Sequence, residues 1–121
     1  MDIVINHDSD TAIYRQIVEQ IASQIIQNEL HANDVLPSIR AIALDLKISV
    51  ITTKKAYEEL ETMGLIYPLS GKGCFVTEIK HFEIIKQRND LALDRMKKEL
   101  EYYKSIGLSI EEVIALFKKM K

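Results

Sequence analysis

The stretch of this chain best suited to bind phosphate is Ser70-Gly71-Lys72-Gly73, in which a lysine lies between two glycines. Nucleotide-binding loops use such residues in the pattern G-x-x-x-x-G-K-[ST], in which the hydroxyl after the lysine binds magnesium. Here a glycine follows the lysine, and no glycine stands at the required spacing before Gly71. We therefore do not expect a nucleotide site. Two interpretations stay open: an ordinary hairpin turn, and a turn whose positive tip touches nucleic acid.

The sequence shows no other pattern typical of catalysis or metal binding. Its three histidines lie far apart without ligand-type spacing, and no serine, histidine and acid arrangement marks a hydrolase. Cys74 is the only cysteine, so an internal disulfide cannot form. We predict a protein that is not an enzyme and that needs no metal and no cofactor.

The composition is that of a globular protein, with 47% apolar and 28% charged residues in a chain of 121. No apolar run approaches the ~18 residues that span a bilayer, and no apolar leader opens the chain. We therefore expect a cytoplasmic protein with no membrane partner. The net charge of −2 argues mildly against generic nucleic-acid binding. It does not forbid DNA binding if the positive groups are gathered on one surface, although it predicts a weak non-specific component.

Apolar periodicity predicts three helices in the first half of the chain. The first is expected from Thr11 to about Asn28, with Asp10 or Thr11 as its cap. The second begins at a Ser38 cap, and the third ends at Gly64, whose freedom to adopt positive φ suits a helix end. Only three or four residues separate the second helix from the third. That spacing is typical of a helix-turn-helix.

The residues after the third helix predict a β-hairpin, because the short apolar runs LIYPL and CFVTEI flank the glycine-lysine turn. Three helices followed by a hairpin is the order of a winged helix. We therefore predict an α+β, mainly helical fold, with a winged helix-turn-helix domain at residues 1–79. In that arrangement the second helix of the pair enters the major groove and the hairpin lies beside it as the wing.

Residues 80–121 predict a long helix and a short one, the second starting with the capping box Ser109-x-x-Glu112. About 40 residues rarely support a core of their own. The apolar stripe of these helices must therefore pack on the first domain or on a second copy. We predict a homodimer, with a tail folded back on its own domain as the alternative. The expected dimerisation residues are Leu93, Met96, Leu100, Tyr103, Ile110, Val113, Ile114 and Phe117.

From Leu36 to Val76 the chain resembles the winged-helix domain of GntR-type bacterial repressors. The resemblance is carried by the L-P-S-x-R start, by A-Y-x-E-L-E-x-x-G-L-I, and by G-K-G-x-F-V at the wing, and it extends upstream to IYRQIVEQI at residues 13–21. The short tail is similar to that of the YtrA branch. The resemblance implies a dimer that binds a palindromic DNA operator, usually as a repressor. More loosely, it implies control of a transporter-type operon in response to a small molecule.

The candidate DNA contacts lie on the helix pair and on the wing. Arg40 matches a family residue that contacts DNA, and its alternative role is a surface salt bridge with Asp45. Lys54 and Lys55 diverge by about 100° around the helix, so at least one of them is expected to reach DNA. Hydroxyls near the two helix starts could donate to phosphates or cap their helices, and Gly71, Lys72 and Gly73 form the expected wing tip. The hydroxyl residues are Ser38, Ser49, Thr52 and Thr53.

The chain departs from the family pattern at three places that bear on function. Ser49-Val50-Ile51 stands where relatives carry an arginine or N-P-N, so base readout there would rest on apolar contact with a thymine methyl. Asn33 stands where the family usually has glycine, and asparagine also tolerates positive φ. In the wing, Pro68-Leu69-Ser70 stands where the family commonly has arginines, which leaves Lys72 as its only obvious charge. This loss of positive charge leaves a second hypothesis open, a winged helix that binds a protein and has lost DNA binding.

Overall fold

A computed structural model of the chain describes residues 1–80 and 83–121. The chain divides into two compact units, Met1–Ile84 and Ile85–Lys121. The predicted class is confirmed: the fold is mainly helical, with one small antiparallel sheet. Its elements in chain order are α1 (Ile13–Ile26), α2 (Ile39–Leu46), α3 (Val50–Thr62), β1 (Ile66–Leu69), β2 (Gly73–Val76), α4 (His81–Ser105) and α5 (Ile110–Lys119).

The core of the first unit forms where α1, α2 and the hairpin pack around α3. One face of α1 is buried and consists of apolar side chains, Ala22 among them. From α3 the core receives Ala56, Tyr57 and Leu60. Each large apolar side chain removed from water contributes about 1.5–3 kcal/mol, so this packing holds α3 in place. The main buried apolar side chains are Ile17, Val18, Ile21, Ile25, Leu36, Ile42, Leu60, Leu65, Ile66 and Val76.

The start of α1 differs from the prediction. Its N-cap is Ala12, and neither Asp10 nor Thr11 supplies a side-chain cap. Instead, the Gln16 amide donates to the Thr11 carbonyl at 2.9 Å from inside the first turn. The Asp10 or Thr11 cap was therefore wrong, because an extended N-terminal arm bonded to glutamines shapes this end of the helix.

That arm, residues 2–6, runs antiparallel to α1 and bonds to three glutamines spaced four residues apart. Gln20 accepts from the Val4 N–H at 2.9 Å and donates to the Val4 carbonyl at 2.7 Å. Gln16 makes the same pair of bonds with Asn6, and Gln24 donates to the Asp2 carbonyl. Four helical residues rise about 6 Å and two strand residues about 6.6 Å, so the two repeats match along the arm.

Four helices end in the same hydrogen-bonded motif, in which a residue with positive φ follows the helix. At the end of α3, the Leu65 N–H donates to the Leu60 carbonyl at 3.0 Å and the Gly64 N–H donates to the Glu61 carbonyl at 2.9 Å. This pattern is a Schellman motif, and it confirms Gly64 as the left-handed residue. The corresponding residues after α1, α2 and α4 are Asn28, Lys47 and Gly107.

The loop before α2 is part of the wing. The Asn33 N–H donates to the Val76 carbonyl at 2.7 Å, and the Leu36 N–H donates to the Cys74 carbonyl at 2.9 Å. Residues 33–36 therefore lie along the free edge of β2, opposite β1. Asn33 has φ +67°, which confirms that asparagine supports this turn. The Tyr67 hydroxyl on β1 also donates to the Asn33 side chain at 2.9 Å, so the wing and the start of α2 are held together.

A buried tyrosine joins α3 to the start of α2. The Tyr57 hydroxyl donates to the Pro37 carbonyl at 2.6 Å, and Tyr57 is almost fully buried. Burial raises the pKa of Tyr57 well above its usual value, so the hydroxyl keeps its proton and remains a donor. Because Pro37 directly precedes the Ser38 cap, this bond sets where α2 begins relative to α3.

Lys47 offers a test of backbone strain, because it occupies a left-handed position that three other helix ends give to glycine or asparagine. Such a position costs a residue with a Cβ about 1–2 kcal/mol, partly offset by the greater freedom of glycine in the unfolded chain. We expect Lys47→Gly to raise the free energy of unfolding by about 0.5–1 kcal/mol, measured by urea denaturation.

Gly64→Ala is the matched control for that substitution. It occupies the same position of the same motif, and an added Cβ would meet no atom within 4 Å, so only the backbone responds. We expect it to lower the free energy of unfolding by about 1 kcal/mol. Changes of the same sign in both variants would contradict the strain argument.

Tyr57→Phe tests the bond that positions α2. The variant keeps the ring in the core but leaves the Pro37 carbonyl without its donor, so we expect a loss of about 1–2 kcal/mol in the free energy of unfolding. Tyr67→Phe removes a similar hydroxyl from an exposed hydrogen bond to Asn33 and should cost at most about 0.5 kcal/mol. Equal losses of unfolding free energy in the two variants would show that the buried hydrogen bond stabilises the fold no more than the exposed one.

Candidate nucleic-acid interface

The turn between α2 and α3 brings both helix starts into one helix-turn-helix. Ser38 caps α2, with its hydroxyl accepting from the Ala41 N–H at 3.0 Å. Ser49 caps α3, accepting from the Thr52 N–H at 3.0 Å. The free N–H groups of a helix start carry partial positive charge, which favours a nearby phosphate. Both serines therefore act as caps, and their helix starts offer backbone donors to an anion.

The hydroxyls at the start of α3 are largely engaged within the protein. Ser49 donates to the Thr52 hydroxyl oxygen at 2.7 Å, which leaves the Thr52 proton free to donate outward. Thr53 is 0% exposed, and its hydroxyl donates to the Ser49 carbonyl at 3.1 Å. The structure therefore contradicts Thr53 as a DNA contact. The polar residue type suggested solvent, but its position on the core face of α3 makes it a packing residue.

Lys54 and Lys55 have different surroundings. The Lys55 ammonium lies 3.9 Å from the centroid of the Tyr14 ring, in a cation–π contact with α1. Lys54 lies 3.9 Å from the carboxylate of Glu58, in an exposed pair one turn apart on the helix. Such pairs contribute only about 0.3–0.5 kcal/mol, so Lys54 can exchange this partner for a phosphate at little cost. Lys54 is thus the more available of the two.

Arg40 is exposed near the start of α2. Within residues 1–80 and 83–121 it forms no ion pair with Asp45 or with another acidic side chain. A guanidinium in this position can bind a phosphate or the acceptor edge of guanine.

The wing tip has the geometry of a tight turn. The Lys72 N–H donates to the Leu69 carbonyl at 2.9 Å, and Leu69 pairs with Gly73 where the strands close. Gly71 and Gly73 have φ +74° and +106°, values that L side chains rarely adopt. The hairpin is therefore as expected, and it exposes Lys72 at its tip. Whether that tip touches DNA stays a prediction.

The first turn of α3 presents apolar side chains to solvent. Ile51 is 81% exposed and Val50 about half exposed. Sequence reasoning identified these residues as a departure from the family pattern. It did not identify Tyr57, whose buried hydroxyl supports the interface from behind. The signals for Tyr57 were its place in the A-Y-x-E-L-E motif and its spacing of four residues from Thr53 and three from Leu60 on one helical face.

The second unit exposes most of the residues predicted for dimerisation. Leu93, Met96, Ile110, Ile114 and Phe117 are each about half exposed or more. Leu100 and Tyr103 are half-buried. Val113 departs from the prediction of an exposed contact, because it is only 9% exposed and packs inside its own unit. The predicted capping box is present, with Ser109 and Glu112 bonded to each other's backbone N–H groups.

A cleft of about 200 Å³ lies within the second unit, between the end of α4 and α5. Its lining is predominantly apolar. The lining residues are Tyr103, Leu108, Val113, Leu116, Phe117 and Met120.

Across residues 1–80 and 83–121, no group of three or more His, Cys, Asp or Glu side chains could hold a metal ion. Among the described helices, none is long and apolar enough to cross a membrane.

Burial raises the pKa of the half-buried Cys74 thiol, with a smaller contribution from Glu61, and this disfavours the reactive thiolate.

Comparison with known proteins identifies the family. The model of the bacterial regulatory proteins of the gntR family matches residues 13–76. The chain is 32% identical over 107 residues to the transcriptional regulator YhcF of Bacillus subtilis, covering 88% of this chain and 87% of YhcF. It is 28% identical over 111 residues to the transcriptional repressor YtrA of the same organism, covering 92% of this chain and 85% of YtrA.

Solved structures agree with this assignment. A GntR family regulator from Listeria monocytogenes has a TM-score of 0.71 and 32% identity, over 94% of this chain and 99% of that chain. The DNA-binding domain of AraR in complex with operator ORX1 has a TM-score of 0.56 and 25% identity, over 64% of this chain and 96% of that chain. The chain therefore belongs to the gntR family of bacterial regulatory proteins, as a YtrA-like transcriptional regulator with a winged helix-turn-helix and not as an enzyme.

Proposed function

We propose that this protein is a homodimeric repressor that binds a palindromic operator through α3 and the wing. The observation that carries the proposal is the exposed outer face of α3, braced from behind by the buried Tyr57 and preceded by two capped helix starts. The similarity to an AraR DNA-binding domain solved in complex with an operator supports operator binding by the first unit. Such a protein would work in the cytoplasm, where its DNA is.

Charge supports the proposal in a specific form. The net charge of −2 gives little general attraction to DNA, so affinity must depend on a few cations placed on one side. Arg40 on α2, Lys54 on α3 and Lys72 on the wing are exposed on the three elements that a winged helix turns toward DNA. We assign phosphate contact to Lys54 and Lys72, and phosphate or guanine contact to Arg40.

Dimerisation would come from the second unit. Two helices of this size do not bury their own apolar surface, and Ile110, Ile114 and Phe117 leave about half of each side chain exposed on α5. A second copy is the commonest partner for such a face. A two-fold dimer would also present two α3 helices to successive turns of DNA, roughly 34–36 Å apart.

The apolar cleft in the second unit is a candidate site for a small, mainly apolar effector. A ligand there would act on DNA binding only if it favoured one dimer geometry over another, since a ligand bound equally by two states shifts neither. We propose this route for regulation, and control of a transporter-type operon follows from the family resemblance alone.

DNA binding is tested by fluorescence anisotropy on the DNA upstream of the gene and on a scrambled duplex, at about 50 and 200 mM salt. We expect the wild type to prefer the upstream fragment and to bind with steep salt dependence. Arg40→Ala and Lys54→Ala should each weaken binding by about tenfold, and Lys54→Ala should lower the salt slope by about two, because the dimer loses one phosphate contact in each half-site.

Lys98→Ala is the matched control for Lys54→Ala. Lys98 pairs with Asp94 four residues away at 3.7 Å and is as exposed as Lys54, but it lies on α4 in the second unit. We expect this variant to bind as the wild type does. Absence of binding to any duplex at low salt would favour a winged helix that binds a protein instead.

Dimerisation is tested by sedimentation velocity on Phe117→Glu. A carboxylate in the apolar face should shift the protein from dimer to monomer and weaken operator binding at least tenfold, with unchanged helicity by circular dichroism. Lys118→Glu places the same carboxylate on the adjacent exposed residue, with a larger change in charge (−2 against −1), and should leave the dimer intact. A wild-type protein that sediments as a monomer would contradict the dimer and favour the folded-back tail.

A further inference from the structure

Ile51 points directly away from the core of the first unit. It precedes Leu60 by nine residues, which is two and a half helical turns, so the two side chains lie on opposite faces of α3. Leu60 is fully buried, whereas Ile51 is 81% exposed. An isoleucine in this place neither packs in the core nor favours the helix, because β-branched residues have lower helix propensity than straight-chain polar ones.

Two cations flank Ile51 on the outer face of α3. At 100° per residue, Lys54 lies about 60° to one side of Ile51 and Lys55 about 40° to the other. An apolar side chain between two lysines would sit in the middle of a groove whose edges carry phosphates. In a helix-turn-helix the first residues of the second helix contact base edges, and Ile51 is the second residue of α3.

The neighbouring hydroxyls leave little polar readout at this point. Ser49 is bonded as the cap, and its hydroxyl donates to Thr52, so the half-buried Thr52 has only its own proton left for an outward bond. The outermost groups of the first turn are therefore the side chains of Val50 and Ile51. In the major groove, the apolar group that distinguishes one base pair from another is the C5-methyl of thymine.

We propose that Ile51 reads a thymine methyl group in each half of the operator. The inference rests on the proposed function and makes it more specific. Sequence preference at the start of α3 comes from an apolar contact, whereas the family often has an arginine or an N-P-N triplet there. It requires an A·T pair with the thymine methyl facing α3.

The test begins with duplexes that the purified wild-type protein enriches from a random-sequence pool. Each thymine of an enriched duplex is then replaced in turn by deoxyuridine, which removes the methyl group and keeps the base pairing. For the wild type we expect one thymine per half-site at which the replacement weakens binding about fourfold, the effect of burying one methyl group. Ile51→Ala should bind both duplexes equally at that position.

Leu44→Ala is the matched control, because Leu44 is 82% exposed but lies on α2. It should keep the full wild-type sensitivity to deoxyuridine. Ile51→Val, which keeps a branched apolar side chain, should keep part of it. Circular dichroism checks that each variant is folded.

The two proposals fail in different ways. If the protein enriches no sequence, the operator-binding function is overturned, and the role of Ile51 with it. If a sequence is enriched but deoxyuridine is tolerated at every thymine, operator binding stands and the methyl readout is overturned. The same holds if the loss at a thymine persists unchanged in Ile51→Ala.

Discussion

The fold depends on α3 burying one face completely while leaving the opposite face free. Thr53, Ala56, Tyr57 and Leu60 occupy the inner face with almost no exposure, and each packs in the core of the first unit. The Tyr57 hydroxyl also fixes where α2 lies relative to α3, because its bond to the Pro37 carbonyl sets the start of α2. A helix held on this side cannot rotate about its axis without breaking the core, so its outer residues keep a defined direction.

The wing is held by the same part of the chain. Residues 33–36 pair with the edge of β2 and lead directly into Pro37, the residue that Tyr57 holds. One short segment therefore connects the hairpin, the start of α2 and the inner face of α3. Asn33 makes this possible, since its positive φ turns the chain onto β2 and its side chain accepts from Tyr67. A substitution of Asn33 would therefore alter the positions of both the wing and the start of α2.

Periodicity and glycine placement were sufficient to predict the helices, the hairpin and the Gly64 helix end, because these depend on residues near one another in sequence. The glutamine bonds to the N-terminal arm depend on backbone groups many residues away, which no periodic pattern reports. Thr53 was misjudged for a related reason. A threonine can satisfy its hydroxyl on the carbonyl four residues earlier, so a polar residue type does not determine whether a helical position faces water. Nor could spacing alone distinguish Lys54 from Lys55, since the distinction comes from Tyr14 on another helix.

Weak general attraction for DNA would make the few specific contacts decisive. A strongly basic winged helix binds every duplex to some extent, and its selectivity is the small difference between large affinities. A chain with net charge −2 has less of this non-specific electrostatic attraction. Each cation and each apolar group at the proposed interface would therefore supply a larger part of the binding free energy. Linking two such domains in a dimer then restores affinity through effective concentration and adds no non-specific charge. On this argument the proposed dimer face of α5 and the proposed methyl contact of Ile51 would have the same purpose, which is selectivity obtained without a basic surface.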